Sequence, residues 1–294
     1  MANTVADLMP KIKLGRHEVS RLIIGGNPFS GNSHYSGELD ANMRQFHSVA
    51  RVLATLREAE KWGVTAVLSR GDAHMMRLMT DHWGQGGRLL WIAQTASEMA
   101  DIPANVRAIA RTGAIAVYHH GTRTDALWKL GRQSEVRDNL KAIRDAGTLV
   151  GLGTHMPEVV RQVEDAAWDV DFYMACLYNL SRTERESALV SDKPRTDEVF
   201  LHEDRDEMCR SILAVVKPVL AFKILAASRL ARTKPDLDAA FAYAFANIKP
   251  SDAVVTGVFC KYGNQVAANA GLTFRYGASA AGSAGAGSER RPAV

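Results

Sequence analysis

The sequence predicts an α/β protein built as a closed (β/α)8 barrel, the TIM-barrel architecture, in which a helix follows each of eight parallel strands. Eight short apolar runs alternate with longer stretches of helical periodicity. The apolar runs are uniformly hydrophobic, as expected of parallel strands covered on both faces. An open doubly wound sheet is the alternative, but no G-x-G-x-x-G sequence follows any predicted strand.

The elements follow in order along the chain. The sequences KIKLG and EVSRL flank a turn and predict a hairpin that closes the barrel bottom. The eight predicted strands are RLIIGG (21–26), VTAVLS (64–69), LLWIAQT (89–95), AIAVYH (114–119), LVGLGT (149–154), VDFYMACLY (170–178), KPVLAFKI (217–224) and DAVVTGVF (252–259). Helices are predicted between them, several with glycine at the helix stop. Residues 1–276 are therefore expected to form one domain, and the Gly/Ala/Ser-rich residues 277–294 a disordered tail.

Composition limits the classes of function. The chain has 294 residues, and its 36 basic and 32 acidic residues are interspersed, so the net charge of +4 is too weak for nucleic-acid binding. No uncharged run is long enough to span a bilayer, so no membrane partner is expected. The three cysteines, Cys176, Cys209 and Cys260, lie far apart, as in proteins of a reducing cytoplasm. A small-molecule substrate is the expected partner, and the oligomeric state is left open.

Several segments together resemble the aldo-keto reductase family. KIKLGRHEVSRLIIGGNPFSG resembles the family's opening, and GVTAVLS, AVYHHG, GLGTHMPEVV, DVDFYMACLYNLSR, KPVLAFKILAASRL and AVVTGVF follow in the family's order over residues 11–272. The resemblance implies a barrel and NADPH-dependent carbonyl reduction. It also implies a catalytic tetrad of Asp, Tyr, Lys and His.

The tetrad is largely replaced. Leu68 stands at the usual Asp position, the Tyr position falls near Ala73 or His74, and Gln94 replaces the lysine. Only the histidine remains, as His119 or His120. Carbonyl reduction would then need a substitute proton donor, for which His74 is a candidate.

The run AIAVYHHGT places two histidines at the end of a predicted strand. Side chains alternate along a strand, so His119 and His120 point to opposite faces and only one of them can reach the barrel mouth.

The segment GVFCKYGNQVAAN resembles the family's adenosine-phosphate segment, with Lys261, Gln265 and Asn269 near the expected positions. A strand end, a flexible loop and a helix capped by Asn264 would also suit an anion without the resemblance. A plain capped loop is the alternative. The sequence leaves NADP(H) open as a cofactor.

Polar side chains gather after the predicted strands, where barrel active sites lie. Those expected to bind substrate are Asn27, His34, Arg70, Gln94, His155, Tyr178 and Asn179. Asp72 is also a candidate cap for the helix after it, and Tyr178 a candidate for simple packing.

A metal site would form if histidines that follow three different strands converged with Asp72. These histidines are His74, one of His119 and His120, and His155. No tight ligand spacing such as H-E-x-x-H supports the site. A divalent metal is therefore left open.

Lys223 lies in the apolar run VLAFKILAAS. Such a lysine either extends to the barrel rim or faces the barrel interior, where burial lowers its pKa and lets it form a Schiff base with a carbonyl compound. Electrostatic binding of a substrate oxygen or phosphate is the alternative role. With His119 or His74 as proton shuttle and Asp72 as orienting carboxylate, the sequence predicts lyase or isomerase chemistry.

Two long polar segments, 25–40 and 181–207, are expected to enclose the mouth. The leading prediction is an atypical enzyme on an aldo-keto-reductase-like barrel, acting on a small polar carbonyl or sugar-like compound. An NADPH-dependent reductase with a substituted proton donor and a non-catalytic binding barrel are the alternatives.

Overall fold

A closed eight-stranded barrel forms the centre of the computed structural model, which describes residues 5–96, 99–182 and 198–278. The strands are β1 (Lys11–Leu14), β2 (His17–Ser20), β3 (Leu22–Gly25), β4 (Ala66–Arg70), β5 (Leu90–Gln94), β6 (Ala116–His119), β7 (Leu149–Thr154), β8 (Phe172–Cys176), β9 (Val219–Phe222) and β10 (Ala253–Gly257). Strands β3 to β10 run parallel in sequence order, and β10 pairs with β3 to close the ring. The predicted barrel and all eight of its strands are confirmed.

Ten α-helices surround the barrel in the described part of the chain. They are α1 (Gly37–Phe46), α2 (Val49–Lys61), α3 (Ala73–Gly84), α4 (Ile102–Thr112), α5 (Gly121–Lys129), α6 (Gln133–Asp145), α7 (Pro157–Asp165), α8 (His202–Ala214), α9 (Lys234–Ala246) and α10 (Gln265–Gly277). Helix α8 begins at His202, so the end of the segment 181–207, predicted as a loop, is helical. Short 3-10 turns cover Val5–Leu8 and Asn27–Ser30.

Alternation along each strand divides the core into two parts. The inward side chains form one cluster that fills the barrel, with Leu68, Ile92, Tyr118 and Phe172 among its members. The outward side chains form a second, larger cluster beneath the helices. The parity of each strand therefore decides which residues can reach the barrel mouth.

The predicted hairpin is confirmed as the antiparallel pair β1–β2. Its buried side chains, Ile12, Leu14 and Val19, belong to the inner cluster. They close the end of the barrel at which the strands begin, so the opposite end is left for a site.

Arg21 ties the start of the barrel to its last elements. Its guanidinium donates to the carbonyl oxygens of Asp252 (2.9 Å), Lys249 (2.9 Å) and Gly277 (2.6 Å), and the residue is almost fully buried. These contacts join β3 to β10 and to the end of α10.

Two predictions fall partly outside the described residues. The tail predicted as disordered, 277–294, is described only at its first two residues, where α10 ends. The expected cover over the mouth, 181–207, is described at 181–182 and from 198 onward. Among the described helices, none combines the length and the apolar character needed to cross a bilayer.

Candidate functional site

A cavity of about 310 Å³ opens at the carboxyl ends of the strands. Its size lies at the lower end of the range for small-molecule sites, roughly 300–1,000 Å³. Apolar walls come from Leu68, Met174, Phe222, Val255 and Phe259. Of the residues predicted to be functional, those that line it are Asn27, His34, Arg70, Gln94, Lys223 and Gln265.

Lys223 lies on the cavity wall immediately after β9, with its backbone in the left-handed region (φ 57°). Its Nζ lies 3.2 Å from Oε2 of Glu198, and both side chains are buried, at 9% and 2% exposure. A buried carboxylate needs such a partner, because an unpaired charge in the interior is costly. The pair therefore fixes the lysine at the cavity.

Glu198 also holds His34. Its Oε1 lies 2.9 Å from Nδ1 of His34, whose Nε2 lies 3.3 Å from Nδ2 of Asn27. His34 is likewise in the left-handed region, at φ 57°. Non-glycine residues in this region cost roughly 1–3 kcal/mol and are concentrated at functional sites. A continuous polar network thus joins the loop after β3 to the end of β9.

The side chain of Phe200 covers this network. Its ring centroid lies 5.7 Å from Nζ of Lys223 and 4.3 Å from the guanidinium carbon of Arg229. Arg229 donates to the carbonyl oxygen of His34 at 3.1 Å. The Phe200 ring thus makes cation–π contacts with both Arg229 and Lys223.

Arg70, Gln94 and Tyr118 form a row across the cavity floor. The strand register places Arg70 beside Gln94 and Gln94 beside Tyr118 on three adjacent strands. The Tyr118 hydroxyl donates to Oε1 of Gln94 at 2.7 Å, and Nε of Arg70 lies 3.1 Å from Oδ2 of Asp72. We call Arg70, Gln94 and Tyr118 the floor row.

Burial controls the protonation of the floor row. Loss of solvation raises the pKa of Tyr118, and the nearby Arg70 guanidinium only partly offsets this. Burial lowers the pKa of Arg70, and Asp72 opposes the shift. The Tyr118 hydroxyl therefore keeps its proton at neutral pH and acts as a hydrogen-bond donor.

His119 points away from the cavity. It is fully buried, with Nδ1 2.8 Å from Oγ1 of Thr124 and Nε2 3.2 Å from Nδ2 of Asn139. Burial lowers the pKa of His119 to about 4, so the ring is neutral at pH 7. The alternation of β6 directs Tyr118, not His119, into the barrel.

Three other predicted catalytic residues also lie outside the cavity lining. His120 follows β6 at the start of α5, and its backbone N–H donates to Oγ1 of Thr95 at 3.0 Å. His74 is exposed on α3. Asp72 caps α3 by accepting from the backbone N–H of Met75 at 2.9 Å. The residues predicted as proton shuttle and orienting carboxylate therefore do not line the cavity beside Lys223, where Glu198 contacts both the lysine and His34.

His155 lies behind Phe222 instead of on the cavity surface. Its Nδ1 is 2.7 Å from Oδ2 of Asp125, and its ring packs edge-on against Phe222 with centroids 5.4 Å apart. Asp125 is itself buried, and its carboxylate also accepts from the hydroxyls of Thr154 and Ser181. The dyad holds the ends of β7 and α5 together.

Tyr178 and Asn179 do not line the cavity either. Tyr178 is buried against Phe200, with ring centroids 5.0 Å apart, and burial raises its pKa to about 12. Asn179 accepts from the backbone N–H of Ser181 at 3.2 Å. Both stabilise the turn after β8.

The loop after β10 is a capped turn. Asn264 caps α10 by accepting from the N–H of Ala267 at 2.9 Å, and Gln265 accepts from the N–H of Phe259 at 2.8 Å. Buried Asn269 donates to Thr256, and exposed Lys261 bonds Asn42. Most of the side chains predicted to hold cofactor phosphates are thus engaged within the protein.

The three histidines of the predicted metal site do not converge. Over residues 5–96, 99–182 and 198–278, no group of three or more His, Cys, Asp or Glu side chains is placed to hold a metal ion. His74 and His119 face away from the mouth, because one lies on a surface helix and the other on the outer side of β6.

Sequence reasoning missed Tyr118 and Glu198. The signal for Tyr118 was present, since alternation in AVYHHG sends its side chain to the face opposite that of His119. The strand β7 beside it also carries Gly151, where a Cβ would come within 2.6 Å of the Tyr118 side chain. Glu198 lies far from Lys223 in sequence, and no local pattern marks it.

Comparisons with known proteins agree on the architecture. No family model matches the chain, and no curated protein matches its sequence. A glycerol dehydrogenase from Gluconobacter oxydans superimposes with a TM-score of 0.51 at 11% identity, covering 90% of this chain and 95% of that one. The chain folds as a TIM barrel.

A second TIM-barrel neighbour is of a different kind. An N-acetylneuraminic acid synthetase from Leptospira borgpetersenii superimposes with a TM-score of 0.50 at 11% identity, covering 97% of this chain and 93% of that one. One neighbour is named a dehydrogenase and the other a synthetase, and what both share with this chain is the barrel architecture. The likeness therefore establishes the barrel, and function has to be argued from the site.

Proposed function

We propose that this protein is an enzyme that moves a proton next to the carbonyl group of a small polar or sugar-like substrate, as lyases and isomerases do. The observation that carries the proposal is the ion pair of Lys223 and Glu198 at the cavity wall, with His34 on the second carboxylate oxygen. Catalytic barrels use side chains at this end of their strands.

The chemistry follows from the neighbours of Lys223. Transfer of one proton from the lysine to Glu198 leaves a neutral amine, which adds to the carbonyl carbon. Loss of water, whose oxygen comes from the carbonyl and whose protons come from the amine, gives a Schiff base. Once protonated, the Schiff base draws electrons from the adjacent C–H bond. We assign to His34, which lines the same cavity and contacts Glu198, the role of taking this proton and returning it.

Solvent-deuterium exchange tests the proposal without a known substrate. We would incubate the protein in D₂O with pyruvate, dihydroxyacetone, glyceraldehyde or fructose and follow the α-proton signals by NMR. Wild-type protein is expected to accelerate exchange in at least one of these compounds. Lys223→Met is expected to lower the rate about 100-fold or more, because without the amine no Schiff base forms.

Lys141→Met is the matched control, because Lys141 also pairs with a carboxylate, Asp145, but on the exposed face of α6. It should leave the exchange rate unchanged. Borohydride trapping with pyruvate should reduce the Schiff base to a stable adduct at Lys223. Exchange that survives Lys223→Met would refute the role of Lys223, and no exchange with any compound would favour a non-catalytic barrel.

An NADPH-dependent reductase is the second candidate function. The cavity extends to Gln265 at the start of α10, and a protein named as a dehydrogenase shares the fold. The fit is poor, because Asn264, Gln265 and Asn269 are engaged within the protein. Fluorescence titration with NADPH decides: saturable binding weakened by Lys261→Met would favour the reductase, and no binding would exclude it.

A further inference from the structure

We propose that the floor row binds the carboxylate group of the substrate, so that the substrate class is a small 2-oxo carboxylic acid. The inference rests on the proposed function, since it names what the same cavity holds. The floor row belongs to β4, β5 and β6, whereas Lys223 follows β9, three strands away around the closed barrel. The floor row would therefore anchor the substrate while Lys223 engages its carbonyl group.

The hydrogen bonds of the floor row leave donors directed at the cavity. Oε1 of Gln94 accepts from Tyr118, so the two N–H groups on Nε2 of the same amide are not used in that bond. Within the described residues, Nε2 of Gln94 has no hydrogen-bond partner, and the side chain lines the cavity. A donor that faces a cavity calls for an acceptor on the ligand.

The cavity lining carries basic but no acidic side chains among the described residues. Arg70, Lys223 and His34 line the cavity, and among its described lining residues no carboxylate occurs. Asp72 and Glu198 pair with Arg70 and Lys223 without themselves lining the cavity. A ligand therefore meets the guanidinium of Arg70, the Lys223 end group and the Gln94 amide, but no carboxylate among the described lining residues, and this lining favours an oxyanion over a cationic group.

Arg70 and Gln94 are register neighbours on the parallel strands β4 and β5, and both line the cavity. A planar guanidinium and a planar amide suit the two coplanar oxygens of a carboxylate. A cavity volume of about 310 Å³ suits a small molecule.

Binding of pyruvate and of pyruvamide would test the proposal, because the two share a shape and differ in the charge of one end. Calorimetric titration of wild-type protein should show binding of pyruvate and binding of pyruvamide at least 10-fold weaker. Arg70→Met should weaken pyruvate binding roughly 10- to 100-fold, as expected for a charge-assisted hydrogen bond. Gln94→Leu should weaken it about 2- to 10-fold.

Arg77→Met is the matched control, because Arg77 also pairs with an aspartate, Asp81, but is exposed on α3. It should leave pyruvate binding unchanged. Circular dichroism of each variant excludes misfolding as the cause of lost binding. Arg70→Lys, which keeps the charge but loses the planar fork, should restore part of the affinity.

Inorganic phosphate separates a carboxylate site from a phosphate site. Phosphate that binds more tightly than pyruvate, and in an Arg70-dependent manner, would overturn the carboxylate assignment. Equal binding of pyruvate and pyruvamide would also overturn it, and so would full pyruvate affinity in Arg70→Met. A further contrary outcome is no detectable binding at a millimolar pyruvate concentration, about 50-fold above that of the protein and on the order of the weakest Kd that calorimetry resolves.

The two proposals fail separately. Arg70-dependent pyruvate binding without any α-proton exchange would retain the carboxylate site and refute the proton-transfer function. Exchange that depends on Lys223 but is unaffected by Arg70→Met would retain the function and refute the site. Lys223→Met should change pyruvate affinity less than Arg70→Met does.

Discussion

At the scale of single residues, the end of β6 shows how one position along a strand decides which side chain reaches the cavity. Tyr118 reaches the cavity floor, whereas His119 lies under α5 and α6, hydrogen-bonded to Thr124 and Asn139. Histidine is the more familiar catalytic residue, but its fully buried, neutral ring here serves packing. The side-chain direction, not the residue type, assigns the role.

His119 predicts how stability depends on pH. Its folded-state pKa of about 4 lies below the ordinary value of 6.5, so the unfolded chain binds a proton between these values and the folded protein does not. The contribution of the neutral His119 ring to the free energy of unfolding is therefore complete above pH 6.5 and is lost as the pH falls toward 4. Between pH 8 and pH 5 this one residue should lower the free energy of unfolding by about 2 kcal/mol.

Urea unfolding at pH 8 and pH 5 checks this for wild type and His119→Gln, whose amide can bond the same neighbours. The variant should lose less stability between the two pH values than wild type. His74→Gln, at an exposed histidine, should behave like wild type. Equal losses for all three proteins would contradict the prediction.

At the scale of elements, β7 makes room for the floor row. At Gly151 an added Cβ would meet the Phe172 ring, and it would meet Cβ of Tyr118 at 2.6 Å. At Gly153 it would meet the carbonyl oxygen of His119 at 2.8 Å and the Tyr118 ring at 3.0 Å. The repeat GLG in LVGLGT thus provides space for the aromatic rings of both neighbouring strands inside the barrel. A strand with two inward glycines indicates a large neighbour on the adjacent strand.

The loop after β10 and the start of α10 give a second prediction at this scale. Asn264→Ala removes the cap of α10, which should lower the free energy of unfolding by about 1 kcal/mol. Pyruvate binding should not change, because Asn264 does not line the cavity. Asn264→Asp, which can still cap the helix, is the control, and weaker pyruvate binding in Asn264→Ala would show that the loop contributes to the site.

At the scale of the whole molecule, one end of the barrel is closed and the other end carries the cavity. The hairpin β1–β2 closes one end with buried apolar side chains, and the cavity opens at the other. Barrels in general separate stability and catalysis in this way. Substitutions at the two ends should therefore affect different measurements.

Leu14→Ala tests this separation. Leu14 is fully buried in the hairpin, so its truncation should lower the free energy of unfolding by roughly 2–5 kcal/mol. Pyruvate affinity at the far end should stay within about twofold of wild type, a change of under 0.5 kcal/mol. Lys13→Ala, at the exposed neighbouring position, controls for changes in the strand, and a loss of affinity in Leu14→Ala would contradict the separation of the two ends.

By itself, the sequence determined the barrel, its eight strands and its hairpin, because apolar periodicity and turn residues are local signals. It also identified six cavity residues, including Lys223, Arg70 and Gln94, because residues that follow parallel strands meet at one end of a barrel. These predictions depended on position along the chain alone.

Only the tertiary structure decided which polar residues meet. It paired Lys223 with Glu198 and His34, joined Gln94 to Tyr118, and turned His119 away from the mouth. Alternation puts Tyr118 and His119 on opposite faces of β6, but which of the two faces lines the barrel interior is set by packing. The contacts of Lys223 with Glu198 and His34 depend on loops distant in sequence, which no local pattern encodes. The physical reason is that the closure of the barrel brings together segments far apart in the chain and so decides which polar side chains come within hydrogen-bond distance.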